Sequence, residues 1–241
     1  MTETIQRWSM DALGRENLRL TQEPLPQPGP GEVRVRVNAV ALNYRDKMVI
    51  EGNMPISRTF PFTPASDMAG VVESTGEGVT RFKPGARVIS NFFPEWIDGK
   101  PKADARVLPY RTLGGYFQGV LAEYVIMNEN WLVAAPETLD DAEASTLPCA
   151  GLTAWFALVE RGNLRAGQSV LVQGTGGVAI FALQIAKAHG AQVFVTSGSD
   201  EKLAQAKKLG ADQGVNRLEG DWAEEMLRLT EDRGIDHRSE E

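Results

Sequence analysis

"VLVQGTGGVAIFALQIAKAHGAQVFV", residues 170–195, joins a short apolar run to a glycine cluster, an amphipathic run and a second apolar run. Residues 169–173, "SVLVQ", read as a compact buried strand. After "GTGG", Val178, Phe181, Ala182, Ile185 and Ala186 recur at helical spacing as far as Gly190, which reads as the glycine just past a helix end. "QVFV" (192–195) is a second strand. Gly174, Gly176 and Ala179 fill the positions of a G-x-G-x-x-G/A pattern inside this strand–helix–strand unit. Gly174 permits a tight turn, and Gly176 lets the backbone approach a pyrophosphate. Ala179 is small enough for close helix–strand packing. The helix N-terminus presents free N–H groups and a positive dipole end to an anion. A glycine turn can merely join strand to helix. Here strand, spacing and helix together read as a dinucleotide cradle built from Gly174, Thr175, Gly176, Gly177 and Val178.

The second strand runs into "VTSGSDEK" (195–202). A site for NAD usually places an acid about 20 residues beyond the glycines, where it holds the ribose 2′-hydroxyl. Ser197 stands there instead, and Asp200 lies further on, in the first turn of the next helix. Small hydroxyls at Ser197 and Ser199 with Lys202 nearby suit a 2′-phosphate, which an acid would repel. The plain alternative is that Asp200 and Lys202 are solvated helix-end charges. The expected cofactor is NADPH, with NADH the less suited.

Composition narrows the class. The chain has 241 residues, enough to bury a real core in one large domain or two small ones. A net charge of −7 argues against a nucleic-acid binder, which needs a basic face. With Cys149 as sole cysteine no intrachain disulfide can form, which fits a reducing compartment. The opening "MTETIQRWSM" lacks the basic and apolar regions of a secretory signal, and no run of about 18 apolar residues exists to span a membrane. The expectation is a soluble cytoplasmic protein.

The two halves differ in texture. "EVRVRVNAVAL" (32–42) alternates Val33, Val35 and Val37 against Glu and Arg, and "MAGVVEST" (68–75) and "ARVIS" (86–90) are further strand candidates. "QPGPGE", "TGEG" and "KPGA" punctuate them as turns, which suggests a small sandwich or barrel. Residues 91–115 show no clear period and read as a long loop or lobe. After "AEYVIM" (122–127) helices begin, with Thr138 or Asp140 as a cap and 151–162 helical. The expected fold is α/β plus β. A β-rich domain (1–128) precedes the first half of a doubly wound parallel sheet (129–241).

In their order, the β-rich half, the "AEYV" strand, "LPCAGLTAW" and the glycine pattern resemble the medium-chain dehydrogenase/reductases. That resemblance implies a GroES-like N-terminal domain and a Rossmann C-terminal one. Zinc-dependent members take their first catalytic ligand from the Cys of a C-x-x-D pattern; "NYRD" here puts Asn43 in that place and keeps Asp46. Their second ligand is the His of G-H-E, where "PASDMAG" puts Ser66, and their third is a cysteine at Cys149. One thiolate cannot make such a site. Relatives also carry four structural-zinc cysteines in the 91–115 lobe, which has none, and the only histidines are His189 and His237. The expectation is therefore no metal and the quinone-oxidoreductase-like branch. Such enzymes move hydride from NADPH to a small quinone, enone or other carbonyl compound. By that resemblance Asn43 lies beside nicotinamide and substrate, Tyr44 and Arg45 are nearby donors, and Thr153 contacts the nicotinamide end. Tyr44 could equally be a packed barrel residue, Arg45–Asp46 a structural ion pair, and Cys149 a small buried hydrophobe.

A Rossmann sheet orders its strands 3-2-1-4-5-6. With strands at 169–173, 192–195 and 213–216, followed by a helix over 221–234, the polar residues from "IDH" onward read poorly as a fourth. Strands 4 to 6 are then missing, and the first strand is left as an exposed apolar edge. The resemblance places nicotinamide contacts and a homodimer edge in that missing part. The chain alone is expected to fold or bind cofactor poorly, and a non-catalytic nucleotide-binding fragment is the alternative to an enzyme.

Overall fold

The computed structural model describes residues 3–54, 56, 58–99 and 111–239. Contacts divide the chain into two units, Met1–Cys149 and Ala150–Glu241. Eleven strands and six helices are used below. The first unit holds β1 (Thr4–Met10), β2 (Leu18–Pro24), β3 (Glu32–Ala41), α1 (Tyr44–Ile50), β4 (Asp67–Thr75), β5 (Arg87–Ser90), β6 (Tyr124–Asn128), β7 (Leu132–Ala134) and α2 (Asp141–Ala144). The second holds α3 (Leu152–Trp155), β8 (Ser169–Gln173), α4 (Gly177–Ala188), β9 (Gln192–Ser197), α5 (Asp200–Lys208), β10 (Gln213–Asn216), α6 (Trp222–Leu229) and β11 (His237–Ser239).

In the first unit the alternation along β3 does what it promises. Val33 and Val35 are fully buried, while Arg34 on the opposite face pairs with Glu73 at 2.6 Å. Burying each valine contributes about 1.5–3 kcal/mol. β3 lies between β6 and β4 in an antiparallel sheet ordered β6-β3-β4-β5-β7, and β1 and β2 form a separate antiparallel pair. Met68, Val72, Val88, Val125, Met127 and Leu132 complete the core. Gly70 sits where β3 and β4 come closest, since a Cβ there would lie 2.3 Å from the Arg36 carbonyl oxygen. Residues 129–149 were expected with the cofactor domain. Their contacts lie in the first unit, because β7 pairs with β5 and Arg87 holds Asp141 at 2.6 Å.

The second unit is a parallel sheet ordered β10-β9-β8-β11. Val170, Val172, Val193 and Val195 face α4 and α5, where Ala179, Ala182 and Ala186 permit close approach; Leu171, Phe194 and Val215 face Met226 of α6. Helices therefore cover both faces, as a doubly wound sheet requires. The helix expected over 221–234 ends at Leu229, and Glu231 and Asp232 then adopt positive φ. The expected segment 151–162 is helical but irregular, with α3 flanked by wider turns over 147–151 and 156–161.

One expectation is corrected. β8 is not a bare edge, because His237–Ser239 run parallel to Val170–Val172 as a short fourth strand. An outer strand is held by backbone hydrogen bonds and does not need apolar side chains. Here a side-chain clasp fixes its register. The Asp236 carboxylate accepts the Ser169 N–H and hydroxyl, each at 2.8 Å, and the Asp236 N–H donates back to Ser169 Oγ at 3.0 Å. Among the described residues no helix is long and apolar enough to cross a membrane.

Candidate functional site

The glycine turn after β8 forms the floor of a cavity of about 620 Å³ in the second unit. Gly174 has φ +94°, a conformation that costs an L side chain energy, and its N–H donates to the Thr196 carbonyl at 2.9 Å. Gly176 caps α4 with no side-chain hydrogen bond, and the first turn of α4 carries no acid. By contrast, Ser199 caps α5 and Asp221 caps α6 with side-chain acceptors. The leading N–H groups of α4 are thus left for a ligand, as an anion cradle needs.

Of the residues expected to hold cofactor, Gly174, Thr175, Gly176, Ser197, Ser199 and Lys202 line this cavity together. Gly177 and Val178 open α4 directly behind it. Thr153 lies exposed on α3 and is not among the lining residues. The structure adds Gln173, Gly198 and Arg217, which sequence reasoning missed. Arg217 arrives through parallel pairing: β10 ends with Asn216 opposite Ser197, and the next N–H, from Arg217, donates to the Ser197 carbonyl at 2.9 Å. A basic residue just past a strand end was the available signal. Asp200 does not line the cavity, and its carboxylate accepts from Asn216 Nδ2 at 2.9 Å.

The second cluster lies in the first unit, at the start of α1. The Asn43 N–H donates to Asp46 Oδ2 at 2.8 Å, and the Asp46 N–H donates to the Asn43 carbonyl at 2.9 Å, closing the first turn. Tyr44 is not the packed barrel residue that was weighed: it is 74% exposed, with Lys47 Nζ 5.5 Å from its ring centre. Arg45 donates to Thr112 Oγ1 and to the Leu113 carbonyl and lies 4.9 Å from the Phe92 ring centre. Its nearest approach to Asp46 is 3.9 Å. Burial pushes the Arg45 guanidinium below its ordinary pKa, with Asp46 opposing that shift.

Asp67, at the start of β4, was not picked out from sequence. It is fully buried, and its neighbour Ser66 and two residues distant in the chain, Asn43 and Cys149, gather on it. Oδ1 accepts the Ser66 hydroxyl at 2.5 Å and Oδ2 accepts the Cys149 N–H at 2.9 Å. The Asn43 carboxamide faces the same carboxyl group and favours its ionised form. Burial outweighs these partners and pushes Asp67 up to about 6. Asp46 is also raised, first by burial, with the Asn43 N–H opposing.

Zinc, which the family implies, finds a poor donor set here. Ser66 is committed to Asp67, Asn43 offers an amide, and among the described residues no three His, Cys, Asp or Glu side chains converge as a metal would need.

Comparison with known proteins agrees with this architecture. Residues 29–137 match the family model "Alcohol dehydrogenase GroES-like domain", and residues 177–240 match "Zinc-binding dehydrogenase". A solved structure from Sinorhizobium meliloti 1021, assigned to the alcohol dehydrogenases, is 59% identical with a TM-score of 0.96. The match covers 100% of this chain and 70% of that one. A zinc-type alcohol dehydrogenase-like protein of Schizosaccharomyces pombe is 42% identical over 93% of this chain, and a quinone oxidoreductase of Rattus norvegicus is 32% identical over 92%. The chain spans 65% and 61% of the length of those two curated relatives. The glycine cradle, the GroES-like sheet and these matches lead to one conclusion: the chain belongs to the medium-chain dehydrogenase/reductases, the family of the alcohol dehydrogenases and quinone oxidoreductases.

Proposed function

We propose that this protein is an NADPH-dependent, zinc-free oxidoreductase that reduces a quinone, an enone or another small carbonyl compound. One observation carries the cofactor half: Lys202 and Arg217 line the same cavity as Ser197, Ser199 and the glycine turn. No ion pair engages either cation among the described residues, so both can neutralise a 2′-phosphate. Each such contact on an exposed wall contributes up to about 1 kcal/mol, so the pair favours NADPH by up to roughly thirtyfold.

The bound cofactor supplies the hydride. The chain's own residues hold and orient the reactants, which is most of what such a reaction asks of a protein. Gly174, Gly176 and the α4 N-terminus suit the pyrophosphate, and Thr153 the nicotinamide end. Without a metal the acceptor oxygen must be polarised by hydrogen-bond donors. Tyr44 has an exposed side chain for that task. Arg45 is tied to Thr112 and Leu113 and serves to hold the loop carrying them. Asn43 is the residue most closely bound to the reactants.

Fluorescence titration with NADPH and NADH tests the cofactor half. Wild type should prefer NADPH, and a K202A/R217A variant should lose that preference while keeping NADH affinity. Equal affinity of wild type for the two cofactors sinks the assignment. NADPH oxidation with 1,4-benzoquinone or cyclohexenone tests the chemistry, and it should be insensitive to a strong chelator. Cofactor binding without turnover would favour a non-catalytic nucleotide-binding module.

A further inference from the structure

The turn that brings Arg217 to the cavity of the second unit is built on one side chain, Asn216, and both ends of its amide are engaged. Its Oδ1 accepts the Leu218 N–H at 3.1 Å, and the Glu219 N–H donates to the Asn216 carbonyl at 3.1 Å, which closes the turn. Its Nδ2 donates to Asp200 Oδ1 at 2.9 Å and to Glu219 Oε1 at 3.4 Å. Turning the amide over would set its oxygen against two carboxylates and its NH2 against an N–H, so its partners fix its orientation. The two acids flank Arg217. Glu219 follows it in the turn, and Asp200 opens α5 just past Gly198, where a Cβ would lie 3.6 Å from Arg217 Nε. Yet neither acid forms an ion pair with Arg217 or Lys202 among the described residues.

We propose that Asn216 is a positioning residue for cofactor choice: it holds the Asp200 and Glu219 carboxylates, so that Arg217 keeps its charge for a ribose 2′-phosphate. This rests on the reading of the cavity as an NADPH site. A carboxylate released beside Arg217 pairs with it, cancels the contact that the phosphate needs and repels the phosphate itself. NADH carries an uncharged hydroxyl at that place, so its binding does not depend on the exchange. Lys202 stands two residues from Asp200 on α5, where side chains do not face each other, and its contribution is untouched. Asn216 thus governs one of the two cationic contacts without lining the cavity itself.

The full chain is compared as wild type, Asn216→Ala, the acid-free pair Asp200→Ala with Glu219→Ala, and the triple variant. NADPH and NADH are titrated into each by fluorescence. Asn216→Ala should bind NADPH about fivefold more weakly, the scale of one exposed charge contact, with NADH affinity unchanged. In the acid-free background the same Asn216 change should cost nothing, because no carboxylate is left to release. If Asn216 only builds the turn, its loss costs the same with or without the acids, and that result overturns the proposal. An Asn216→Ala protein that binds NADPH like wild type overturns it too, and leaves the NADPH reading intact. NADH affinity reports on folding throughout: a parallel loss of both cofactors means that Asn216 holds the fold, which also overturns the proposal. Wild type that binds the two cofactors equally removes the NADPH reading and the proposal together.

Discussion

Asp67→Asn should make the protein more stable at alkaline pH. Asp67 is fully buried and its carboxyl is pushed from 3.8 to about 6, burial being the largest cause. Its partners have already repaid part of the cost of burial. A shift of that size corresponds to about 3 kcal/mol. The sign follows from linkage: the folded protein holds this proton more tightly than the unfolded chain. The two states are equal below about pH 4, where both are protonated. Stability is then lost as pH rises through 6, and the full cost is present above that. Asparagine stays neutral and can keep both neighbours, its oxygen accepting the Cys149 N–H and its NH2 donating to the Ser66 hydroxyl oxygen. Imperfect geometry removes some of the gain, leaving roughly 1–3 kcal/mol at pH 8 and almost nothing at pH 4. Urea unfolding followed by tryptophan fluorescence at a series of pH values reads the difference between wild type and variant. A variant less stable than wild type at pH 8, or a difference that does not change with pH, would refute the reasoning.

Two further outcomes follow from the second unit. Gly174→Ala, at φ +94°, should cost about 1–2 kcal/mol in urea unfolding and should weaken nucleotide binding measured by fluorescence; an unchanged affinity would remove Gly174 from the cradle. Asp236→Ala breaks the clasp on Ser169 and should cost about 1–2 kcal/mol. Hydrogen exchange should then speed up at Val170–Val172 and not in β9 or β10. Unchanged protection there would mean that the backbone ladder alone holds β11.

Local pattern carried a large part of the fold. Alternation gave β3, β-branched runs gave β8 and β9, and the recurrence of small and apolar residues after "GTGG" gave α4, because these periods report directly on which face is buried. Elements stabilised by partners rather than by their own pattern were harder to see. β1 and β2 are largely polar, with Arg7, Arg19 and Glu23 among their residues, and α1 depends on the exchange between Asn43 and Asp46. β11 is polar and exists because Asp236 and Ser169 hold it to β8.

The candidate site divides in the same way. Gly174, Gly176, Ser197, Ser199 and Lys202 lie within 29 residues of one another, and one strand–helix–strand unit with the helix start after it sets their spacing, so sequence by itself brought them together. Sequence also showed Asn43 and Ser66 at positions where zinc-dependent relatives hold ligands. Arg217 reaches the cavity because β10 pairs in parallel with β9 and ends level with Ser197, a register that no local pattern encodes. Asp67 gathers Asn43, Ser66 and the backbone at Cys149 because three separate segments pack around one buried carboxyl group. The raised pKa of Asp67 is decided there, by burial that only the folded chain creates.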